Sequence, residues 1–329
     1  MLISQTPLRI SLAGGGTDLH AYYKDSDGFV VSTAIDKYVY VLIKERFDDK
    51  IYLNYGTRKE IVDDVSEVQH ELVREAAIIT GLKNGFELAT FADIPSEGSG
   101  LGSSSSITVG LLNAMHTYCG RQVTQRELAE QACRIEIDLL KKPIGKQDQY
   151  IAAFGGLSAI TFHSNGWVTA DQLELSDKER HSLGEHFMLF FTNVTRQASS
   201  ILTEQQAKTS EKRAALETIH DLGRRVERAI RDRRFDEIGE ILDENWRLKK
   251  GLAAGITSPE IDAMYERARS GGAIGGKVAG AGGGGFLLLY VRPQDQERVR
   301  QALAGYRQMP IMLEQFGASI TFNQRRYRW

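Results

Sequence analysis

The stretch Pro95-Ser-Glu-Gly-Ser-Gly-Leu-Gly-Ser-Ser-Ser-Ser106 sets three alternate glycines and a run of serines directly ahead of an apolar segment, Ile107 to Tyr118. Gly98, Gly100 and Gly102 let the backbone turn tightly with N–H groups pointing inward, and a helix beginning there adds the positive end of its dipole. The chemistry that suits such a turn is phosphate binding. A flexible Gly/Ser linker has the same composition. The flanks favour the cradle: Phe86-Glu-Leu-Ala-Thr-Phe-Ala-Asp93 reads as a half-buried strand, and the run after the serines, apolar almost all round, reads as a buried helix.

Other residues invite the same question. On the segment Thr124–Leu140, Ala129, Ala132, Cys133 and Leu140 share a stripe at helical spacing, and Glu136 falls on it. A carboxylate there is costly unless paired or coordinated; the alternative is a position at the stripe's edge, reaching solvent. Asp148 follows in a polar segment with Lys146 beside it and Arg9 available from elsewhere, and its type and surroundings alone do not single it out. Gly14-Gly-Gly-Thr-Asp18 follows a strand directly, so Asp18 either faces a ligand's hydroxyls or, the reading its residue types favour, caps the next helix. Gly271-Gly-Ala-Ile-Gly-Gly-Lys277-Val278 nearly matches the Walker phosphate loop, but Val278 stands where a hydroxyl belongs, which rejects it. Gly280-Ala-Gly-Gly-Gly-Gly285 fits GxGxxG weakly, since it precedes an apolar strand where that fingerprint follows one. Its six small residues imply close backbone approach to a ligand or another loop.

These residues need elements to position them. Alternation predicts strands at Leu8–Ala13, Phe29–Ile35, Tyr38–Lys44, Ile51–Tyr55, Gly155–Phe162, Phe187–Thr192, Phe286–Val291 and Ile311–Phe322. Helical spacing and caps predict helices over Glu67–Thr80, from Thr124, whose partner Glu127 completes a capping box, to Leu140, and over Ser199–Arg231, Phe235–Lys250, Pro259–Arg269 and Pro293–Tyr306. Gly271–Gly285 reads as a turn. Strands and helices mix without regular βαβ alternation, so the fold class is α+β, with a domain boundary between about residues 160 and 185.

Bulk properties narrow the function. A chain of 329 residues favours two domains, and 42% hydrophobic with 26% charged residues is ordinary for a soluble globular protein. A net charge of -2 gives no electrostatic reason to expect nucleic acid or membrane as a partner. Cys119 and Cys133, the only cysteines, are too far apart for a zinc spacing and read as buried thiols in a reducing cytoplasm. Small-molecule chemistry remains.

Together the stretches resemble the GHMP kinase superfamily, named for galactokinase, homoserine kinase, mevalonate kinase and phosphomevalonate kinase. Three ordered motifs carry the resemblance: Pro7-Leu-Arg-Ile-Ser-Leu-Ala-Gly-Gly-Gly-Thr-Asp18, the Pro95 to Ser104 stretch, and Lys277-Val-Ala-Gly-Ala-Gly-Gly-Gly-Gly285. Ala13-Gly-Gly-Gly-Thr-Asp-Leu19, Ala34-Ile-Asp-Lys-Tyr38, Gly145-Lys-Gln-Asp-Gln-Tyr-Ile-Ala-Ala-Phe-Gly-Gly156, Thr195-Arg-Gln-Ala-Ser199 and Gly275-Gly-Lys277 are similar to the heptose 7-phosphate kinases within it. The resemblance spans essentially residues 2 to 329.

It implies an amino-terminal domain, residues 1–170, like the second domain of ribosomal protein S5, and a ferredoxin-like carboxy-terminal domain, residues 171–329, with ATP and Mg²⁺ between them. It implies that Gly98, Gly100, Leu101, Gly102, Ser103, Ser104 and Ser105 wrap the triphosphate and that Ser104 and Glu136 hold the metal. Four serines replace the commoner Ser-Ser-Ala-Ala, so Ser103 and Ser105 stay open as alternatives to Ser104. Asp148 would be the catalytic aspartate, with Arg9 steadying it or the transferring phosphoryl group. Asp18, with Gly16 and Thr17, would face the sugar, and Gly280, Gly282 and Gly283 would complete the acceptor site. Lys146 and Arg196 are the candidate cations for a sugar phosphate; Arg196 reads equally well as a surface residue at a helix start.

The implied activity is ATP-dependent phosphorylation of the anomeric hydroxyl of D-glycero-D-manno-heptose 7-phosphate, feeding nucleotide-activated heptose synthesis. Another sugar 1-kinase, acting on fucose or galactose, and a non-catalytic sugar and nucleotide sensor are the alternatives. Gly15-Gly16 replace the Glu-His of galactokinase-type chains, which argues against galactose, and His20 and Ala21 stand where heptose kinases often have Pro and a small residue. A homodimer is kept open as the assembly.

Overall fold

In the computed structural model, which describes residues 1–95, 98–195 and 198–324, the chain begins with a strand of 12 residues, β1 (Leu2–Ala13). A short helix, α1 (His20–Tyr23), leads into β2 (Gly28–Glu45). The runs expected as separate strands at Phe29–Ile35 and Tyr38–Lys44 are therefore one. Strand β1 pairs antiparallel along nearly all of β2, and the register slips so that Pro7 faces Tyr38 while Leu8 faces Ile35. Asp36 and Lys37 bulge out at the slip, where the Asp36 carboxylate accepts from the Met312 N–H at 2.9 Å.

Next come β3 (Ile51–Tyr55), β4 (Arg58–Val62), α2 (Glu71–Thr80), β5 (Phe86–Ala92), α3 (Ser103–Tyr118), α4 (Gln125–Cys133), α5 (Gln147–Phe154), β6 (Leu157–Phe162) and β7 (Val168–Gln172). The second half holds α6 (Asp177–Glu185), β8 (Phe187–Phe191), α7 (Ala198–Ala207), α8 (Arg213–Arg231), α9 (Asp236–Lys249), α10 (Pro259–Gly271), β9 (Gly275–Val278), β10 (Phe286–Tyr290), α11 (Gln296–Ala302), β11 (Gln308–Met309) and β12 (Ser319–Asn323). The first sheet runs β12-β1-β2-β5-β3-β4, with β6 on the other half of β2 and β7 beyond it. The second is β11-β8-β10-β9, antiparallel throughout.

Strand β2 is covered on both faces. Val30, Val41 and Ile43 join one core with Val109, Leu111 and Leu112 of α3. Phe29, Val31, Ile35 and Val39 join a second with Leu8, Ile10 and Leu12 of β1, Leu222 and Val226 of α8, and Leu288 of β10. The period of two along a strand sends Val30 to one core and its neighbours Phe29 and Val31 to the other. It also aims Arg9, between Leu8 and Ile10, at the opposite side of β1 from those leucine and isoleucine side chains.

Several expectations are corrected. The long tract from Ser199 divides into α7 and α8, because Lys208 to Lys212 form turns. The last described strand is short and pairs with β1, so it joins the first sheet and not the second. Cys133 is buried but Cys119, the residue closing α3, is exposed. The glycine-rich Gly271–Gly285 contains strand β9. Its glycines exist for packing as much as for turning, since a Cβ on Gly275 would lie 2.0 Å from the Gly239 carbonyl oxygen of α9.

Gly275→Ala is therefore expected to destabilise the chain by overpacking, at a cost of about 1–3 kcal/mol, read as a lower urea midpoint. An unchanged midpoint would show that α9 can retreat from β9 without loss.

Candidate active site

The first two motifs meet the third across a cleft of about 530 Å³. Its nucleotide-like wall is the loop before α3. Gly98, Gly100 and Gly102 all take left-handed backbone angles, φ +70°, +74° and +79°, and α3 starts at Ser103 with its first-turn N–H groups at the cleft. This is the geometry of an anion site. The loop is held from behind by the third motif: a Cβ on Gly100 would sit 2.5 Å from the Ala279 oxygen, and one on Gly285 would sit 2.5 Å from the Ser99 oxygen. The close approach implied by the run of small residues is thus made to another loop.

Arg9 sits at the centre. Its Nε and Nη2 each donate to an Asp148 carboxylate oxygen at 2.7 Å, and Nη1 donates to the Gly100 oxygen at 2.6 Å. The backbone N–H of Arg9 also donates to the Leu101 oxygen at 3.0 Å. A guanidinium fork spends two arms on one carboxylate in this way, leaving each Asp148 oxygen a further lone pair toward the cleft.

Glu136 is fully buried. It lies in a π-helical turn, Arg134–Leu139, that ends the helical segment begun by α4, and such a turn re-aims its side chains. Its carboxylate accepts from Ser104 Oγ at 2.5 Å, Ser105 Oγ at 2.7 Å and Gln149 Nε2 at 2.8 Å, with Lys142 Nζ at 3.7 Å. Burial still pushes its pKa up against those donors and Lys142. Of the four serines, Ser104 is the exposed one. Ser103 shares a contact with Ser99 at 3.2 Å, and Ser106 donates to the Pro7 oxygen at 2.8 Å.

Asp18 accepts from the Gly16 N–H at 2.9 Å and from Gln147 Nε2 at 3.0 Å. Burial raises its pKa, with the charge of Asp148 adding to the rise and the Gly16 and Gln147 donors opposing it. It packs so closely on Gly145 that a Cβ there would lie 1.9 Å from an Asp18 oxygen.

Arg9, Gly16, Asp18, Gly98, Gly100, Gly102, Ser103, Ser104, Ser105, Glu136, Asp148 and Gly280 all line the cleft. Five further candidates do not. The Thr17 hydroxyl is consumed inside the turn, donating to the Gly14 oxygen at 2.8 Å and accepting from the Phe29 N–H at 2.9 Å. Leu101 is fully buried in the core. Lys146 reaches away, to the Gly166 oxygen at 3.0 Å and over the Tyr23 ring. Gly282 and Gly283 pack on Ile256, whose oxygen accepts from the Gly283 N–H at 2.8 Å. Arg196 lies outside the described residues.

The cleft also holds residues that sequence reasoning missed. Gln147 orients Asp18, and Lys142, Lys249 and Lys277 bring positive charge, while Gln149, buried behind the cleft lining, supports Glu136. A signal for Lys249 existed: it follows Leu242 and Trp246 on the buried stripe of α9, the same reasoning that marked Glu136.

Comparison with known proteins fits this geometry. The family description "GHMP kinases N terminal domain" matches residues 65–156, and "GHMP kinases C terminal" matches 226–307. The chain is 31% identical over 317 residues to the D-glycero-alpha-D-manno-heptose 7-phosphate kinase of Campylobacter jejuni, covering 91% of this chain and 92% of that one. The chain belongs to the GHMP kinase family. A solved structure described as a D-glycero-D-manno-heptose 1-phosphate kinase from Bacteroides thetaiotaomicron superposes with a TM-score of 0.82 at 27% identity, covering 99% of this chain and 100% of that one. An L-fucokinase/L-fucose-1-P guanylyltransferase of Bacteroides fragilis is 27% identical over 91% of this chain, which spans 35% of that longer protein. The architecture is therefore the two-domain GHMP kinase fold, and the protein is an ATP-dependent phosphotransferase. Among the described residues, no helix of this GHMP kinase is long and apolar enough to cross a membrane.

The raised pKa of Glu136 has a sign that can be measured. A carboxylate whose folded pKa exceeds its unfolded one costs stability once pH rises above the unfolded value of about 4.3. Glu136→Gln is thus expected to raise the thermal midpoint at pH 7, with the gain shrinking toward about pH 4, while turnover falls. A lower midpoint at pH 7 would mean that the serine and glutamine donors fully compensate the charge.

Proposed function

We propose that this GHMP kinase transfers the γ-phosphoryl group of ATP to the anomeric hydroxyl of D-glycero-D-manno-heptose 7-phosphate, for nucleotide-activated heptose synthesis in the cytoplasm. The observation that carries the reading is the polar acceptor end of the cleft. Asp148 is held there by Arg9, and Ser11 Oγ and Gln147 Oε1 are buried without a hydrogen-bond partner. Buried unpaired oxygens are costly, and a polyol bringing several hydroxyls would satisfy them. The phosphorylated heptose itself is suggested by the relatives, whose descriptions name heptose phosphates. The division between domains is proposed near residue 170, where β7 completes the first sheet's opening run of strands.

In the reaction the anomeric oxygen forms a bond to the γ-phosphorus as the bond from that phosphorus to the β–γ bridging oxygen breaks, releasing ADP. Asp148 accepts a hydrogen bond from the attacking hydroxyl and takes its proton, while Arg9 keeps the carboxylate aimed. The N–H groups at the start of α3 would bear on the phosphate oxygens. Ser104 and Glu136 suit Mg²⁺: a hydroxyl facing the cleft and a buried, under-compensated carboxylate are hard oxygen ligands. Among the described residues no cluster of three or more His, Cys, Asp or Glu forms a metal cage. Bound there, Mg²⁺ would neutralise charge on the phosphates.

ADP release measured across sugars and sugar phosphates tests the substrate. Turnover of the heptose 7-phosphate, with a new phosphorus coupling at the anomeric proton, is expected; strong turnover of fucose or galactose with none of the heptose phosphate would replace this reading with the other sugar 1-kinase. Asp148→Ala is expected to lower kcat by about 10²–10⁴-fold with ATP affinity retained, and an unchanged kcat would remove Asp148 from its role.

A further inference from the structure

Among the described residues four cations line the cleft: Arg9, Lys142, Lys249 and Lys277. Two are already engaged by acids. Arg9 is forked onto Asp148, and Lys142 lies between Glu71 at 3.3 Å and Glu136 at 3.7 Å. The other two are different. Lys249, in the last turn of α9, donates to the Val278 oxygen at 3.3 Å and to the Gly280 oxygen, and Lys277, on β9, donates to the Leu12 oxygen at 3.3 Å. Both are buried, 8% and 2% exposed.

We propose that Lys249 and Lys277 form the subsite for the acceptor's own phosphate group. This rests on the reading that the acceptor is a sugar phosphate. Each ammonium carries three N–H donors, more than the carbonyls take up, and the two come from different elements to one end of the cleft. That end is the acceptor's: Lys277 is bonded to Leu12 of β1, the strand that carries Arg9 and Ser11, and Lys249 to Gly280, which packs on the Gly100 held by Arg9, whereas Lys142 is the cation beside Glu136. Two buried cations near a third are unfavourable on their own, and a dianion between them reverses the sign of that interaction. The α3 N-terminus and the Ser104–Glu136 pair provide separately for the nucleotide's phosphates. Of the two sequence candidates for this task, Lys146 is drawn off to the Gly166 oxygen and Arg196 lies outside the described residues.

The subsite is poised to change protonation. Burial, with Arg9 adding, pushes the Lys249 pKa down to about 7, and burial with Lys249 and Arg9 pushes Lys277 well below its ordinary value. At neutral pH the free protein thus holds fewer than two ammonium charges here, and a phosphate dianion draws protons back on binding.

The test compares D-glycero-D-manno-heptose 7-phosphate with the unphosphorylated heptose at saturating ATP, in the wild type, Lys249→Met and Lys277→Met. The ratio of kcat/KM for the two sugars on one preparation is independent of how much of it is folded. Each variant is expected to lower that ratio by about 10²-fold through KM, with KM for ATP unchanged. Calorimetry in buffers of different ionisation heat is expected to show proton uptake when the wild type binds the sugar phosphate, and none in the double variant. An unaltered ratio, an equal loss on both sugars, or a rise in KM for ATP would overturn the assignment, the last two giving the lysines to the transferred phosphoryl group. Absence of wild-type turnover on the heptose 7-phosphate would instead sink the substrate reading. Titration with inorganic phosphate then decides the subsite, with binding to the wild type and none to the double variant expected, and equal binding to both overturning it.

Discussion

One guanidinium connects the parts of this site that matter most. Arg9 ties Asp148, at the start of α5, to the Gly100 carbonyl of the phosphate loop, and its own N–H holds Leu101. The pair is 5% and 23% exposed at its side chains, so each charge relies on the other in place of water. Removing one partner of this partly buried pair strands the survivor's charge with only limited access to water. Lysine would not substitute, since a point charge cannot engage two carboxylate oxygens and a carbonyl in one plane. Strand β1 therefore has to be buried on both faces: its apolar residues lock it in place, and the residue between them gains a fixed direction.

The glycine loops obey a second constraint, which is contact of backbone on backbone. Where the Gly100 and Ala279 to Gly280 segments meet, any side chain would force the loops apart, moving the third motif away from the first two. The small residues act less as hinges than as the means by which two domains come close enough to share one cleft.

Charge in the cleft is arranged against stability. Asp18 and Glu136 have raised pKa values, and Lys249 and Lys277 lowered ones, all chiefly through burial. Groups under such strain persist when a ligand supplies the missing counter-charge. At one end a buried acid, Glu136, stands where a metal would be welcome; at the other, Asp18 shares the acceptor's end with two buried bases suited to an anion.

Much of this was legible in the chain. The glycine turn before α3, the capping box of α4 and the apolar stripe carrying Glu136 follow from residue type and spacing, because local backbone preference and a period of 3.6 or 2 act over a few residues. The ordered motifs were enough to indicate the family and an α+β fold. Sequence could not join Phe29–Ile35 to Tyr38–Lys44, since the bulge at Asp36 depends on pairing with β1, nor show that Gly275 is a packing position against α9. The family resemblance offered Asp148 as one partner for Arg9, but it could not fix that grip between residues 139 apart in sequence, nor indicate that Lys146 would turn aside or that Lys249 and Lys277 would converge. Side chains far apart in sequence meet only once strand order and helix packing are settled, and only then is it decided which buried charges have partners.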